Sequence, residues 1–276
     1  MNLKKISIMD SILNVFVLIF ALINLFPLYW AITSSLKFPN GFNKVPPDWI
    51  PLQITFDNYV ELFVRSSALR WTLNSIIISL AGTFLLIMFS VMASYAFSKI
   101  RFFGSKVLFI ILVSSLMIPK EVLIIPLFKI VQGIGWTGTY GGLIIPETAS
   151  AFGVFLLKQF IDTIPDSLRE SGKIDGASEW KILTKIIVPI AMPGIGVLAI
   201  LMFVRIWNDY LWQLVITNRN EMKTLQLGIA SLQQENVTNY AFVLAGATVA
   251  AIPMLIVFFS FQKYFTKGIT MGAVKG

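Results

Sequence analysis

The chain has 276 residues, 56% of them hydrophobic and only 13% charged, with a mean hydropathy of +0.78, more apolar than a water-soluble domain with a polar exterior can be. It contains neither cysteine nor histidine, which excludes disulfides, thiolate or imidazole metal sites and histidine acid–base catalysis. The 22 Lys and Arg, which give a formal net charge of +8, are scattered between apolar runs and not gathered into a basic stripe, so membrane topology accounts for them and nucleic acid does not.

A helix needs about 20 mainly apolar residues to cross the hydrocarbon core, because every backbone N–H and C=O must be satisfied within the segment. Six stretches meet that length, at about 11–35, 71–97, 107–128, 140–157, 190–215 and 240–262. The expected fold is therefore all-α, a single polytopic domain of six transmembrane helices bathed in membrane lipid. The first stretch has a basic start like a signal peptide, but its charge-free run is too long and no small-residue cleavage site follows. After it comes a segment rich in proline (Pro39, Pro46, Pro47, Pro51) that carries Trp49, a composition suited to an irregular connection at the membrane interface. Six crossings place both termini on one side, and Lys4, Lys5, Lys263, Lys267 and Lys275 favour the cytoplasm.

Five ionisable residues interrupt the apolar spans: Lys120 and Glu121 in the third, Glu147 in the fourth, and Arg205 and Asp209 in the fifth. Buried charge costs roughly 2.5–3.5 kcal/mol per residue on insertion scales, so such groups face a protein interior or a water-filled path. Trp207, Asn208, Asp209 and Trp212 together offer amide and carboxylate partners for hydroxyl groups and flat apolar rings, which makes them candidates for lining a solute path with Glu147, Lys120 and Glu121. A second reading places Trp212 as an interfacial anchor and pairs Asp209 with Arg205, one helical turn earlier. Pro119, Gly142 and Pro146 are expected to interrupt their helices, as gate hinges or as packing kinks.

Between the fourth and fifth spans the segment 160–189 turns polar. Pro165 suits a helix start, with Asp166 and Glu170 near its positive end. Gly172 and Gly176 permit a change of direction, after which Trp180, Leu183, Ile186 and Ile187 recur at helical spacing as one apolar stripe. Pro189 and Pro193 mark the turn into the membrane. A helix–bend–helix with a narrow apolar ridge and charged flanks fits a groove on another protein.

The string Glu170-Ser-Gly-x-x-Asp175-Gly176-Ala177, followed by Leu183-x-x-Ile186-x-Val188-Pro189, resembles the EAA loop of ATP-binding cassette importer permeases, with Ser171 and Gly172 in place of the usual alanines. Asp57-Asn58-Tyr59, Asn74-Ser75, Met117-Ile118-Pro119, Trp207-Asn208-Asp209-x-x-Trp212 and the ending Lys267-Gly268-Ile269-Thr270-x-Gly272-Ala273 resemble the maltose-permease G-type branch of carbohydrate importers.

The resemblance implies a non-catalytic permease subunit in the bacterial inner membrane. The loop 160–189 then couples to an ATPase through Glu170, Asp175, Gly176, Ala177, Trp180, Leu183, Ile186 and Pro189. The implied partners are a second permease subunit, a pair of ATPase subunits that bind the ATP and Mg, and an extracytoplasmic solute-binding protein, with no cofactor and no metal on this chain. The absence of a Gly-x-x-x-x-Gly-Lys-Ser/Thr phosphate loop agrees. An ion-coupled secondary transporter also accommodates intramembrane carboxylates such as Glu147 and Asp209, but leaves the EAA-like loop unexplained. A membrane-embedded enzyme has too few catalytic side chains to draw on.

Overall fold

The computed structural model describes residues 8–38, 48–235 and 239–273, all of whose regular structure is helical. Lys4, Lys5 and the end of the basic tail lie outside the described residues. The chain divides into two compact units, one made of Met1–Leu69 with Ile229–Ile252, the other of Arg70–Gly228 with Pro253–Gly276.

In the first unit, α1 (Ile8–Ser35) carries apolar side chains on every face, and its most apolar window is not buried at all. Such a helix is stable only against lipid or another apolar surface. The end of α1 is tied to α2 (Asp57–Arg65) by Asn58, which donates to Ser35 O at 2.8 Å and Lys37 O at 2.9 Å, and by a 2.6 Å bond between Ser35 and Tyr59. Trp49 packs against Phe26 and Trp30, and Tyr29 donates to its carbonyl. The expected aromatic anchor thus folds back onto α1.

The second unit is built on α3 (Ala68–Lys99), which continues from the end of the first. Next come α4 (Ser105–Ser114) with a 3-10 turn to Met117, α5 (Lys120–Gly133), α6 (Tyr140–Thr148) and α7 (Ala151–Asp162). Two short helices, α8 (Asp166–Ile174) and α9 (Glu179–Ile182), lead into α10 (Val188–Trp207) and α11 (Leu211–Ile216). The chain closes with α12 (Leu225–Glu235) and α13 (Tyr240–Ala273).

Met9–Ser35, Ala68–Lys99, Glu179–Trp207 and Tyr240–Gln262 are each long and apolar enough to cross a membrane. The third and fourth expected spans are not single rods. Ser105–Met117 and Lys120–Gly133 meet at 105°, and Tyr140–Thr148 and Ala151–Asp162 at 44°, so six crossings result only if each bent pair counts as one.

Pro119 sits at the first break, where it ends one helix and opens the next. Pro146 does not break α6, which runs on to Thr148, and Gly142 lies in its first turn. The Thr139 hydroxyl caps that turn by accepting from Gly142 N–H at 3.2 Å. The second break falls at Ala149 and Ser150, where the Ser150 hydroxyl caps α7 through Gly153 N–H.

A third break, unexpected from the sequence, occupies 208–210, so the fifth span is interrupted within the Trp207–Trp212 motif. Pro189 and Pro193 do not turn the chain either, and both lie inside a helix that starts at Glu179. A π-type turn at Leu183–Ile187 precedes them, with Val188 N–H bonded to Leu183 O five residues back. Widening the helix by one residue gives the ladder room for a proline.

One apolar core of this unit joins Leu86 and Tyr95 of α3 to Leu157 and Ile161 of α7 and to Ile182, Leu183 and Ile187. A second joins Ile78, Leu143, Ile206, Trp212 and Ile216.

Candidate functional site

Each helix break lies at or beside a residue of one ionic network. Lys120 opens α5 just after Pro119, Glu147 stands next to the end of α6, and Asp209 lies between α10 and α11. The Lys120 ammonium donates to Glu147 Oε1 and, at 2.6 Å, to Asp209 Oδ2. Arg205 Nη2 donates to Glu147 Oε2 at 2.9 Å. Two cations and two carboxylates sum to zero, which is what a low-dielectric setting requires of buried charge. Glu147 is 2% exposed, whereas the side chains of Lys120 and Arg205 are 40% and 42% exposed, so the accessible side of the network presents N–H donors.

Arg205 is not the partner of Asp209, although the two stand four residues apart. The break at 208–210 takes Asp209 off the α10 helix, and its Oδ1 instead caps α11 by accepting from Trp212 N–H at 3.1 Å. Arg205, which sequence reasoning left in a minor role, reaches across to Glu147. Glu121 is exposed and stands apart from these contacts.

The two expected aromatic platforms are buried in the packing. Trp207 stacks on Phe203 with centroids 5.8 Å apart. Trp212 is fully buried and donates from Nε1 to Gly142 O at 3.1 Å, joining α11 to α6. Neither ring can meet a solute in this conformation. Asn208 is exposed, donates to Val204 O at 2.9 Å and leaves its carbonyl side toward Gln226.

The loop 160–189 folds as the expected helix–bend–helix. At the end of α8, Ala177 N–H bonds Gly172 O at 2.9 Å and Gly176 N–H bonds Lys173 O at 3.0 Å. This is a Schellman closure, which places Gly176 at φ +73°, where a side chain is strained. The Ser178 hydroxyl then caps α9 by accepting from Lys181 N–H. Gly172 does not supply the bend. It sits inside α8, where a Cβ would come within 3.1 Å of Ile182 and Ile186, so its smallness sets how closely the two helices approach.

The expected apolar stripe is not presented as one face. Leu183 and Ile187 are buried in the unit's own core, and Ile186 packs against it. What the loop exposes is Trp180, 60% exposed, together with Ile174, 87% exposed. Glu170, Asp175 and Gly176 are exposed beside them, Ala177 is half-buried, and Pro189 is exposed on the first turn of α10. Sequence reasoning missed Ile174, which ends α8 before the bend and lies outside the stripe that begins at Trp180.

A polar brace, also missed, holds the loop. Glu179 accepts both Nε and Nη2 of Arg169, at 3.2 and 2.5 Å, and pairs with Lys173 at 2.9 Å. The Asp166 carboxyl is held below its usual range, first by the hydrogen bond from Lys99 and then by that residue's charge.

The chain matches the family described as "Binding-protein-dependent transport system inner membrane component" over residues 87–271. It is 34% identical to the arabinooligosaccharides transport system permease protein AraQ of Bacillus subtilis (strain 168), over 99% of this chain and 98% of that protein. It is 34% identical to the melibiose/raffinose/stachyose import permease protein MelC of the same organism, with 96% of each chain covered. The sn-glycerol-3-phosphate transport system permease protein UgpE of Brucella abortus (strain 2308) is 31% identical, with 88% and 90% covered. A solved bacterial ABC transporter involved in the import of the acidic polysaccharide alginate has the same fold, with a TM-score of 0.80 at 24% identity over 96% of this chain and 99% of that one. A helical, polytopic chain that carries the EAA-like loop and matches these permeases along nearly its whole length belongs to the binding-protein-dependent transport system inner membrane component family.

Proposed function

We propose that this chain is the membrane permease subunit of an ATP-driven importer for a sugar or sugar-like solute, itself without catalytic activity. The naming of AraQ and MelC for sugar transport supports the solute class, and the phosphorylated polyol named for UgpE keeps it broad. In this reading ATP and Mg are bound and consumed by a pair of partner ATPase subunits. A second permease subunit completes the passage and an extracytoplasmic binding protein delivers the solute; a solved alginate transporter of this fold, with a TM-score of 0.54, is in complex with such a protein. Both termini and the loop 160–189 face the cytoplasm.

The observation that carries the reading is the exposed pair Ile174 and Trp180 on a braced helix–bend–helix. Large apolar side chains flanked by Glu170 and Asp175 are the makings of a protein contact whose centre is desolvated on docking. The network of Lys120, Glu147, Asp209 and Arg205, with Asn208 beside it, is the polar part of the solute path. Its outward N–H donors suit the oxygen atoms of a carbohydrate.

The test is assembly with the cognate ATPase. Ile174→Asp combined with Trp180→Ala is expected to weaken association by at least about tenfold, as loss of interface anchors does, while the permease itself folds normally. Because the chain has no native cysteine, Ser178→Cys provides a unique label, expected to react only with reagents that enter the cell. Undiminished ATPase association in the double variant, or labelling from outside, overturns the proposal.

A further inference from the structure

Two carboxylates open the two short helices of the loop: Asp166 is the first residue of α8 and Glu179 the first of α9. Both are held by the last turn of α3. Lys99 donates to Asp166 Oδ1 at 2.7 Å and to Ile164 O at 2.5 Å. Tyr95, one turn earlier and so on the same helix face, donates its hydroxyl to Glu179 Oε2. Lys99 and Tyr95 are both buried, which strengthens bonds to charged partners relative to bonds in water. Arg169 and Lys173 on α8 also bind Glu179 on α9, so the two short helices are braced to each other as well as to α3.

At its other end α3 is fastened to a different segment. Arg70 Nε donates to Glu221 O at 3.1 Å, Trp71 Nε1 to Asn220 O at 2.9 Å, and Asn74 to Glu221 O and Lys223 O at 2.7 and 2.9 Å. α3 is an unbroken helix of 32 residues, and between Arg70 and Lys99 it forms a rod of about 44 Å. Along the chain the loop joins α7 through the non-helical Thr163, Ile164 and Pro165, with Ile164 buried in the core, and joins α10 through the helix that begins at Glu179.

We propose that Tyr95 and Lys99 are positioning residues that fasten the loop 160–189 to α3, making α3 the rod that carries displacement of the loop to the segment 220–224 at its far end. The inference rests on the loop being the ATPase dock. It adds that force leaves the dock through two side chains of a helix distant in sequence, not only along the chain into α7 and α10.

The experiment uses the complete transporter in proteoliposomes and reads solute imported per ATP hydrolysed. Tyr95→Phe keeps the buried ring and removes only the hydroxyl, and Asp166→Asn alters an exposed carboxylate without touching the core. Each is expected to retain ATPase association and hydrolysis while lowering solute moved per ATP by about threefold to tenfold, the range that the net strength of one ordinary hydrogen bond sets. Asp166→Glu, which keeps the charge, is expected to restore the ratio. A double variant Tyr95→Phe, Asp166→Asn with the wild-type ratio overturns the rod. If the wild-type chain itself fails to bind an ATPase, it is the docking reading that falls, so the two failures are distinguished by the unaltered protein.

Discussion

Glu147 is the residue on which the intramembrane charges balance, since it accepts from both Lys120 and Arg205 while being 2% exposed. Removing one member of a buried ionic cluster strands the others. Glu147→Ala is expected to cost about 2–4 kcal/mol, the lower side of the usual range because both cations keep access to solvent, and to show as a lower unfolding temperature in detergent. Asn208→Ala, at an exposed position nearby, is expected to leave that temperature unchanged and to reduce uptake; a variant with unaltered uptake removes Asn208 from the path. Lys120, Glu147 and Asp209 were legible in the sequence because charge inside an apolar run has few explanations. Their connections were not. A four-residue spacing pairs Asp209 with Arg205 only if the helix continues, and the break at 208–210 cancels that premise. The signal was present, since an aspartate three residues before a tryptophan-led apolar stretch is a helix cap.

At the scale of elements, the bend between α8 and α9 follows from a short run of residues with separate duties. Gly176 takes the left-handed conformation, Ala177 closes the turn through its N–H, and Ser178 caps the next helix. Gly176→Val is expected to destabilise the bend by about 1–2 kcal/mol, the cost of a side chain in that backbone region, and to reduce ATPase association without altering membrane insertion. Blue native electrophoresis of the complex checks this, and an intact complex at wild-type yield counts against the bend as the docking determinant. The bend was readable from glycine and proline placement. The orientation of the second helix was not, because a periodic pattern assumes a constant turn, and the π-type turn at Leu183–Ile187 shifts the register of the residues that follow it.

For the molecule as a whole, apolar length located six stretches, of which four contain single helices long enough to cross a membrane and two are bent pairs. Length and hydropathy measure how much of a segment belongs in lipid; they are blind to direction, so the bends of 105° and 44° were invisible to them. At the 105° bend Pro119, which has no N–H to satisfy, opens α5; at the 44° bend the Ser150 hydroxyl caps α7; and at 208–210 the Asp209 carboxylate caps α11, so the backbone groups that these breaks release find partners.

The neutrality of that network has a consequence for how the chain is made. Lys120 emerges from the ribosome 27 residues before Glu147 and 89 before Asp209, so for a period of synthesis a lone ammonium stands in a nascent hairpin with no counter-charge. Glu147 closes the first of these gaps and Asp209 the second, so the network is complete only once the fifth apolar stretch has been translated. In chains arrested shortly after residue 140, which Met9–Ser35 and Ala68–Lys99 already anchor, a cysteine placed beside Lys120 is therefore expected to stay open to a water-soluble maleimide, and in chains extended beyond 216 to be protected. Equal protection at both lengths would show that Lys120 settles in the bilayer unaided.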